Sequence, residues 1–390
     1  MPRLLSFALF FTIMVAVVGA AHYYVWARLV RDLALPPAWH RGLTAALVFL
    51  FLLVPLSFFL RRTGAAWTVP LVWVSSVWLG LLFLFLLVLG SADAGRGVWA
   101  LGSKLASSPP SDPERRVVLA RLFGFLTVLL TAGLGAVAVR SGLARVALRD
   151  VVVRLRRLPP GLDGTTIVQL TDVHVGPTIG RAFIEDIVAR TNAVKPDVVA
   201  ITGDLVDGSV EDLREHVAPL AGLTARYGVY FVTGNHEYYS GADAWCEELG
   251  WLGIKVLRNE RVSIGNDDAS FDLAGIDDAQ AHQFGHGHGA DLPRAVRGRD
   301  PARELVLLAH QPRAVFEASQ HGVGLQLSGH THGGQIWPWS LFVRLQQPVV
   351  AGLARFGDTQ VYVSRGTGYW GPPMRLAAPA EITRVTLRAA

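Results

Sequence analysis

The chain has 390 residues, longer than one typical domain, with 51% hydrophobic residues and a formal net charge of +5. Its one cysteine, Cys246, excludes an intrachain disulfide and a thiolate metal cage. The basic balance does not point to nucleic acid. The excess is arginine beside apolar stretches (Arg61-Arg62, Arg115-Arg116 and residues 154–157), where anionic lipid headgroups account for it, and no interleaved basic and aromatic stripe runs through the C-terminal half.

Up to about residue 139 the chain is dominated by Leu, Val, Phe, Ala and Trp. Residues 4–26, 43–60, 65–89 and 117–139 can each cross a bilayer, which takes roughly 20 mainly apolar residues. The first is long for a signal peptide and three more follow, so residues 1–139 are expected to form a resident multi-pass membrane domain. Arg121 interrupts the fourth span near its start, where its side chain can snorkel to the headgroups.

Four spans put both chain ends on one side of the membrane. That side collects Arg3, Arg61, Arg62, Arg140, Arg145, Arg149, Arg154, Arg156 and Arg157. The other holds Arg28, Arg31, Arg41, Arg96, Lys104, Arg115 and Arg116. Nine against seven favours a cytoplasmic C-terminal domain. Arg115-Arg116-Val117-Val118-Leu119 resembles a twin-arginine export signal, which would carry that domain outside, but it lacks a polar lead-in and sits deep in the chain.

Residues 140–161 read as a basic, proline-containing connector, and residues 162–390 are enough for one sizeable core. Helical patterns over 181–194, 210–227 and 242–252 alternate with short apolar strands. Further strands at 270–276, 305–309, 360–364 and 382–387 come closer together, which predicts an α/β domain of two sheets packed face to face with helices outside. Cys246 reads as a helix residue packed on that core. Residues 277–292 form a loop whose His282, His286 and His288 lack a rigid frame for a metal, so a solvated loop is expected. Trp337-Pro338-Trp339 and Leu341-Phe342-Val343 suit packing, or contact with lipid on a membrane-tethered domain.

Five strand patterns in this half end in polar residues. Residues 166–170 lead to Asp172 and His174. Residues 197–202 lead through Gly203 to Asp204, and 229–232 lead to Gly234-Asn235-His236-Glu237. Residues 305–308 lead to His310, and 325–327 to Gly329-His330-Thr331-His332. A lone aspartate at a strand tip is usually a solvated turn, but five such tips share the edge where open α/β sheets place their sites. Asp172, His174, Asp204, Asn235, His310, His330 and His332 make seven donors, too many for one tetrahedral ion and suited to two ions bridged by Asp204. Two metals roughly 3.5–4 Å apart can clamp the attacking and leaving oxygens of a phosphoryl group and make hydroxide available at neutral pH. His236 would be free to contact phosphate or protonate the leaving group.

These blocks, Asp172-x-His174, Gly203-Asp204-x-x-Asp207, Gly234-Asn235-His236-Glu237, His310 and Gly329-His330-x-His332, resemble the calcineurin-like metallophosphoesterase family, in family order. The resemblance implies a four-layer fold of two β-sheets sandwiched between helices. It assigns Asp172, His174, Asp204 and His332 to one metal and Asp204, Asn235, His310 and His330 to the other. It makes His236 the phosphate-contacting histidine and leaves Asp207 behind the ligands. Manganese is the expected ion, with iron, zinc and magnesium compatible with the same donors. Gly333-Gly334-Gln335, Val363-Ser364-Arg365-Gly366 and Arg375 resemble a membrane-anchored subgroup that includes enzymes splitting the pyrophosphate of UDP-2,3-diacylglucosamine. Ala378-Pro379-Ala380-Glu381 departs from that subgroup's second proline. Arg365 is a candidate anion-binding group, or the partner of a structural salt bridge.

Two other classes compete with a lipid-directed phosphoesterase. A non-catalytic scaffold is disfavoured by the intact donor set, and a transporter or sensor by the scarcity of polar pairs in the spans. None of the three lysines follows a glycine, which excludes a Gly-Lys-Ser/Thr phosphate loop, and there is no Gly-x-Ser-x-Gly elbow.

Overall fold

Residues 2–61, 65–105 and 113–390 are described by a computed structural model, and they form two units. Arg62 lies outside the described residues, as do the side chains of Arg3, Lys104, Arg115 and Arg116. One unit is residues 1–140 with Gly371–Met374, and the other is Ser141–Trp370 with Arg375–Ala390.

The first unit consists of four long apolar helices, α1 (Pro2–Trp26), α2 (Pro37–Leu60), α3 (Val69–Leu105) and α4 (Pro113–Gly142), each with a window apolar enough to span a bilayer. The third runs well past the expected end at residue 89. At about 1.5 Å per residue its 37 residues exceed a hydrocarbon core of roughly 30 Å. Its extension carries Asp93, which accepts from Tyr24 Oη at 2.6 Å, Arg28 Nε at 2.8 Å and Arg96 at 2.5 Å. Within the spans, buried His22 accepts from Trp78 Nε1 at 2.8 Å, with its Nδ1 on Val18 O. The spans are therefore less barren of polar pairs than the sequence suggests, because the partners lie on different helices. Arg121 donates to Leu33 O at 3.0 Å and Ala34 O at 2.6 Å, so it braces the chain beyond the first helix.

The second unit holds twelve strands: β1 (Ala147–Leu155), β2 (Thr166–Leu170), β3 (Val198–Thr202), β4 (Val229–Val232), β5 (Lys255–Val256), β6 (Glu260–Gly265), β7 (Ser270–Gly275), β8 (Leu305–Leu308), β9 (Leu325–Ser328), β10 (Gly352–Phe356), β11 (Thr359–Val363) and β12 (Glu381–Ala389). They form two six-stranded sheets, ordered β1-β12-β2-β3-β4-β5 and β10-β11-β9-β8-β7-β6. Residues 147–155 are thus no connector but a strand parallel to β12. The arginines just after this strand pair within the domain: Arg156 meets Asp358 at 3.0 Å and Arg157 meets Glu304 at 3.3 Å, where lipid contact was expected.

Strand alternation builds the layers. Ile167, Val198, Ala200, Tyr230 and Val232 point between the sheets, meeting Phe271, Leu273, Val306, Leu308, Leu325 and Leu327. Their neighbours Val168, Leu170, Val199, Ile201 and Phe231 face helices α5 (Arg181–Ala193), α6 (Val210–Val217) and, beyond the short α7 (Asn235–Ser240), α8 (Ala242–Trp251) through Ile184, Ile187, Leu213, Trp245 and Leu249. On the far side, Ala274, Leu305 and Leu307 pack against Leu292, Ala295 and Ala318. The expected helix over 210–227 stops at Val217 and tightens into a 3-10 turn, Ala218–Gly222, because Pro219 lacks the N–H a continuing helix needs.

Phe271 is fully buried between the sheets, so Phe271→Ala is expected to destabilise this unit by about 3–5 kcal/mol. Phe316→Ala, at a position 55% exposed, should stay within about 0.5 kcal/mol. Urea unfolding of the detergent-solubilised chain checks both.

Candidate metal centre

Strands β2, β3 and β4 run parallel in one sheet, and β7, β8 and β9 run parallel in the other. Their C-terminal ends meet along one seam. His310 Nδ1 sits 2.8 Å from Thr202 O, and Gln169 Nε2 donates to Ser328 O at 2.9 Å, each tie crossing between sheets. The turns beyond these ends are tight. Among the described residues ten non-glycine positions have positive φ, and five of them are Asp172, His174, Asp204, His330 and His332. Such backbone persists where the surroundings over-determine it, and it marks functional sites. Gly203, at φ +85°, is required for a second reason: a Cβ there would lie 2.5 Å from Gly234 N and 2.8 Å from His310 Nδ1.

The donors gather in two groups. Asp172, His174 and His332 form one, with His174 Nε2 3.1 Å from His332 Nε2 and His332 Nε2 3.4 Å from Asp172 Oδ1. Asp204, His310 and His330 form the other, with His310 Nε2 3.1 Å from Asp204 Oδ2 and 3.2 Å from His330 Nδ1. Asp204 Oδ2 also lies 3.9 Å from His174 Nε2, so this carboxylate stands between the groups. Asn235 is buried beside them and its Oδ1 has no hydrogen-bond partner.

These contacts fit metal ions. A buried amide oxygen without a donor is costly unless a cation satisfies it. His310 holds a carbonyl through Nδ1–H and turns Nε2 toward Asp204 and His330, a position that favours a positive charge there, either a proton or a metal ion. His174 is oriented likewise, its Nδ1 3.0 Å from Asp207 Oδ1. Asp207 Oδ1 also takes the Nδ1–H of His236 at 2.6 Å. The grouping of His174, Asp207 and His236 is therefore not a third ion site but one carboxylate setting two rings.

Electrostatics follow from burial and mutual charge. Burial pushes the Asp204 carboxyl up, but His310 and His236 outweigh it and hold the group well below the ordinary range. Burial alone would lower His236, yet Asp204 and Asp207 raise it to about 9. Burial, and then the charge of His310, push His330 down to about 3, as befits a neutral ligand. His236 donates its backbone N–H to Asp204 Oδ1 at 2.9 Å, and its ring is flanked by Tyr239 and Trp370 at 5.3 and 5.6 Å.

Two supporting residues carried no role in the sequence reading. Glu237 is fully buried and accepts the backbone N–H groups of Gly234, Asp204 and Leu205 at 2.6, 3.0 and 2.7 Å, tying the Asp204 and Asn235 turns together. Its place two residues after Asn235 was the available signal. Arg375 is also fully buried; it donates to Gly368 O, to Ala378 O at 2.8 Å and to His332 O at 3.3 Å, bracing the last ligand turn. Arg365 is paired with Glu381 at 3.0 Å, the structural salt bridge, instead of being held open for an anion. In the histidine loop, His282 and His286 are exposed, whereas His288 is held by Arg258 at 2.7 Å.

Gly203→Ala should sharply lower the metal bound per chain, since backbone on either side of the clash carries ligands. Gly250→Ala, with nothing within 4 Å of its added Cβ, should leave it unchanged. Elemental analysis of the purified variants decides between them.

Comparison with known proteins agrees with this geometry. The calcineurin-like phosphoesterase family matches residues 165–334. The chain is 35% identical over 383 residues to a transmembrane protein with metallophosphoesterase domain from Danio rerio, covering 94% of this chain and 86% of that protein. To the Bos taurus protein of the same description it is 42% identical over 303 residues, covering 75% and 67%. An uncharacterized metallophosphoesterase from Campylobacter jejuni is 29% identical over 385 residues, covering 98% and 99%. With four apolar helices ahead of a two-sheet domain that gathers the Asp, Asn and His donors at one seam, the chain belongs to the calcineurin-like phosphoesterase family of metal-dependent phosphoester hydrolases.

Proposed function

We propose that this protein is a membrane-anchored two-metal phosphoesterase that hydrolyses a phosphodiester or pyrophosphate bond in a lipid-linked substrate. The observation that carries the two-metal reading is the pair of donor groups with Asp204 standing between them, together with the buried Asn235 Oδ1 that has no hydrogen-bond partner. Asp172, His174, Asp204 and His332 would hold one ion and Asp204, Asn235, His310 and His330 the other. Manganese is the ion we propose; these hard-to-borderline donors also suit iron, zinc or magnesium. When bound, two such ions supply a hydroxide nucleophile at neutral pH and neutralise charge on the phosphoryl oxygens.

The protein's own groups do the rest. Asp207 fixes the His236 ring through Nδ1, which leaves Nε2 to face substrate. There it can bond a phosphoryl oxygen and give a proton to the leaving oxygen, as a general acid. Asn235 positions the same phosphoryl group from the neighbouring turn. The substrate class is supported by the four apolar helices, which commit the domain to work at a bilayer. By the resemblance of its motifs, UDP-2,3-diacylglucosamine is the named candidate. We also place the catalytic domain on the cytoplasmic face, on the nine-to-seven arginine and lysine count.

Elemental analysis of the purified active chain is expected to give two divalent ions; one or none would end the two-metal reading. Asp204→Ala should cost more activity than any other single ligand change, since both groups lose a donor. His236→Ala should keep its metal while turnover falls roughly 10²–10⁴-fold. In detergent, the lipid-linked diester or pyrophosphate should be turned over more efficiently than any soluble nucleotide diester. An alkaline phosphatase reporter fused after Ala390 should be inactive; an active one would place the site outside and remove the UDP-lipid candidate.

A further inference from the structure

Five residues beyond the last ligand, His332, the chain turns from buried to exposed while staying apolar. Trp337, Trp339, Leu341, Phe342 and Leu345 are 53%, 52%, 57%, 53% and 83% exposed. The segment is ordered: Leu341 N bonds Pro338 O and Leu345 N bonds Phe342 O, and the Trp339 and Phe342 rings lie 5.2 Å apart. Soluble surfaces rarely carry so concentrated an apolar cluster unless something covers it.

Charge narrows what that something is. From His332 to Phe356 the chain contains Arg344 and Arg355 and no acidic residue. Arg344, set among the apolar side chains, is itself exposed. Tryptophan and phenylalanine beside arginine suit the interfacial layer of a membrane, where rings lie at headgroup depth and arginine meets anionic phosphate. The same chain carries four spans, and only four residues separate the end of α4 at Gly142 from the start of β1 at Ala147. A bilayer crossed by those four helices is the apolar surface to which they would tether this domain.

We infer that residues 337–345 are a lipid-docking surface, which enters the headgroup layer and presents the metal centre to phosphate groups held in the membrane. The connection to the centre is direct. Trp337 N bonds Leu376 O and Leu376 N bonds Gln335 O, while Gln335 pairs with both backbone groups of Trp370, whose ring lies 5.6 Å from His236. Docking would therefore brace the turn that carries His332 and the Trp370 ring beside His236. The inference rests on the lipid-linked reading of the substrate, and it names the surface that would serve it.

The test uses the full chain with Cys246→Ser, reconstituted in phosphatidylcholine–phosphatidylglycerol vesicles. An environment-sensitive fluorophore is placed at Leu341→Cys or Phe342→Cys, and at Glu215→Cys, whose side chain is 87% exposed. Labels at 341 and 342 should be blue-shifted and quenched by doxyl-labelled lipid, and the label at 215 should not. A label at 341 as wetted as that at 215 overturns the inference. So does shielding that appears only as protein density rises, with energy transfer between chains, since a second copy would then cover the surface.

Changing Trp339, Leu341 and Phe342 together to serine should leave hydrolysis of a soluble artificial diester unchanged. Hydrolysis of a vesicle-borne phosphodiester should fall roughly tenfold or more, about the factor each apolar side chain withdrawn from water contributes. Equal loss on both substrates overturns the docking role. Labels quenched by lipid with no lipid phosphoester hydrolysed would uphold the docking surface and refute the lipid-substrate reading. Lipid hydrolysis with wetted labels would do the reverse.

Discussion

The structure depends on the position of one carboxylate. Asp204 accepts from the His236 backbone, faces His310 Nε2 at 3.1 Å and stands between two groups of donors, yet it is almost wholly buried. A charge so placed is tolerable only if everything around it is arranged to meet it. Much of the seam can be derived from that demand. Glu237 gathers the N–H groups of the turns on either side, Gly203 removes the side chain that would separate them, and His310 is turned by Thr202 O so that its free nitrogen faces inward.

Two sheets are needed because one cannot supply the donors. Strand tips of the first sheet deliver Asp172, His174, Asp204 and Asn235, and those of the second deliver His310, His330 and His332. The inter-sheet core of Ile167, Val198, Phe271, Val306 and Leu327 fixes how the two edges meet, so packing far from the seam sets distances within it. Cross-links such as the Asp172 carboxylate on the His330 N–H, at 2.8 Å, finish the register. The left-handed backbone at five of the candidate ligands is the strain that this rigidity sustains.

The sequence displayed the candidate ligands plainly because each follows a short apolar strand, and a strand tip is a local pattern. Strands β2, β4 and β8 fall where the apolar runs place them. What it hid is non-local. Strand β1, alternating and half exposed, looks like a basic connector until its pairing with β12, at the far end of the chain, is known. Strands β5, β6 and β10 are short or exposed edge pieces with little apolar signal. Asp207 was visible as a motif position, but that one oxygen holds both His174 and His236 is a fact of three dimensions. Arg375 resembled a subgroup motif, and its burial against carbonyls of the His332 turn has no counterpart in local pattern.

The same centre can be balanced by protons or by metal ions, and this ties its chemistry to its stability. Burial works against a charged His310, but Asp204 and Asp172 raise its affinity for protons well above that of an ordinary imidazole. A proton on Nε2 occupies the lone pair an ion would use, so ions and protons compete for one nitrogen. An ion held there would join donors from both sheets, and its binding free energy would count toward keeping the sheets together. Acidification favours the proton and works against the ion. Any ion held by these donors would thus be released as pH falls, and its tie between the two sheets at this seam would go with it.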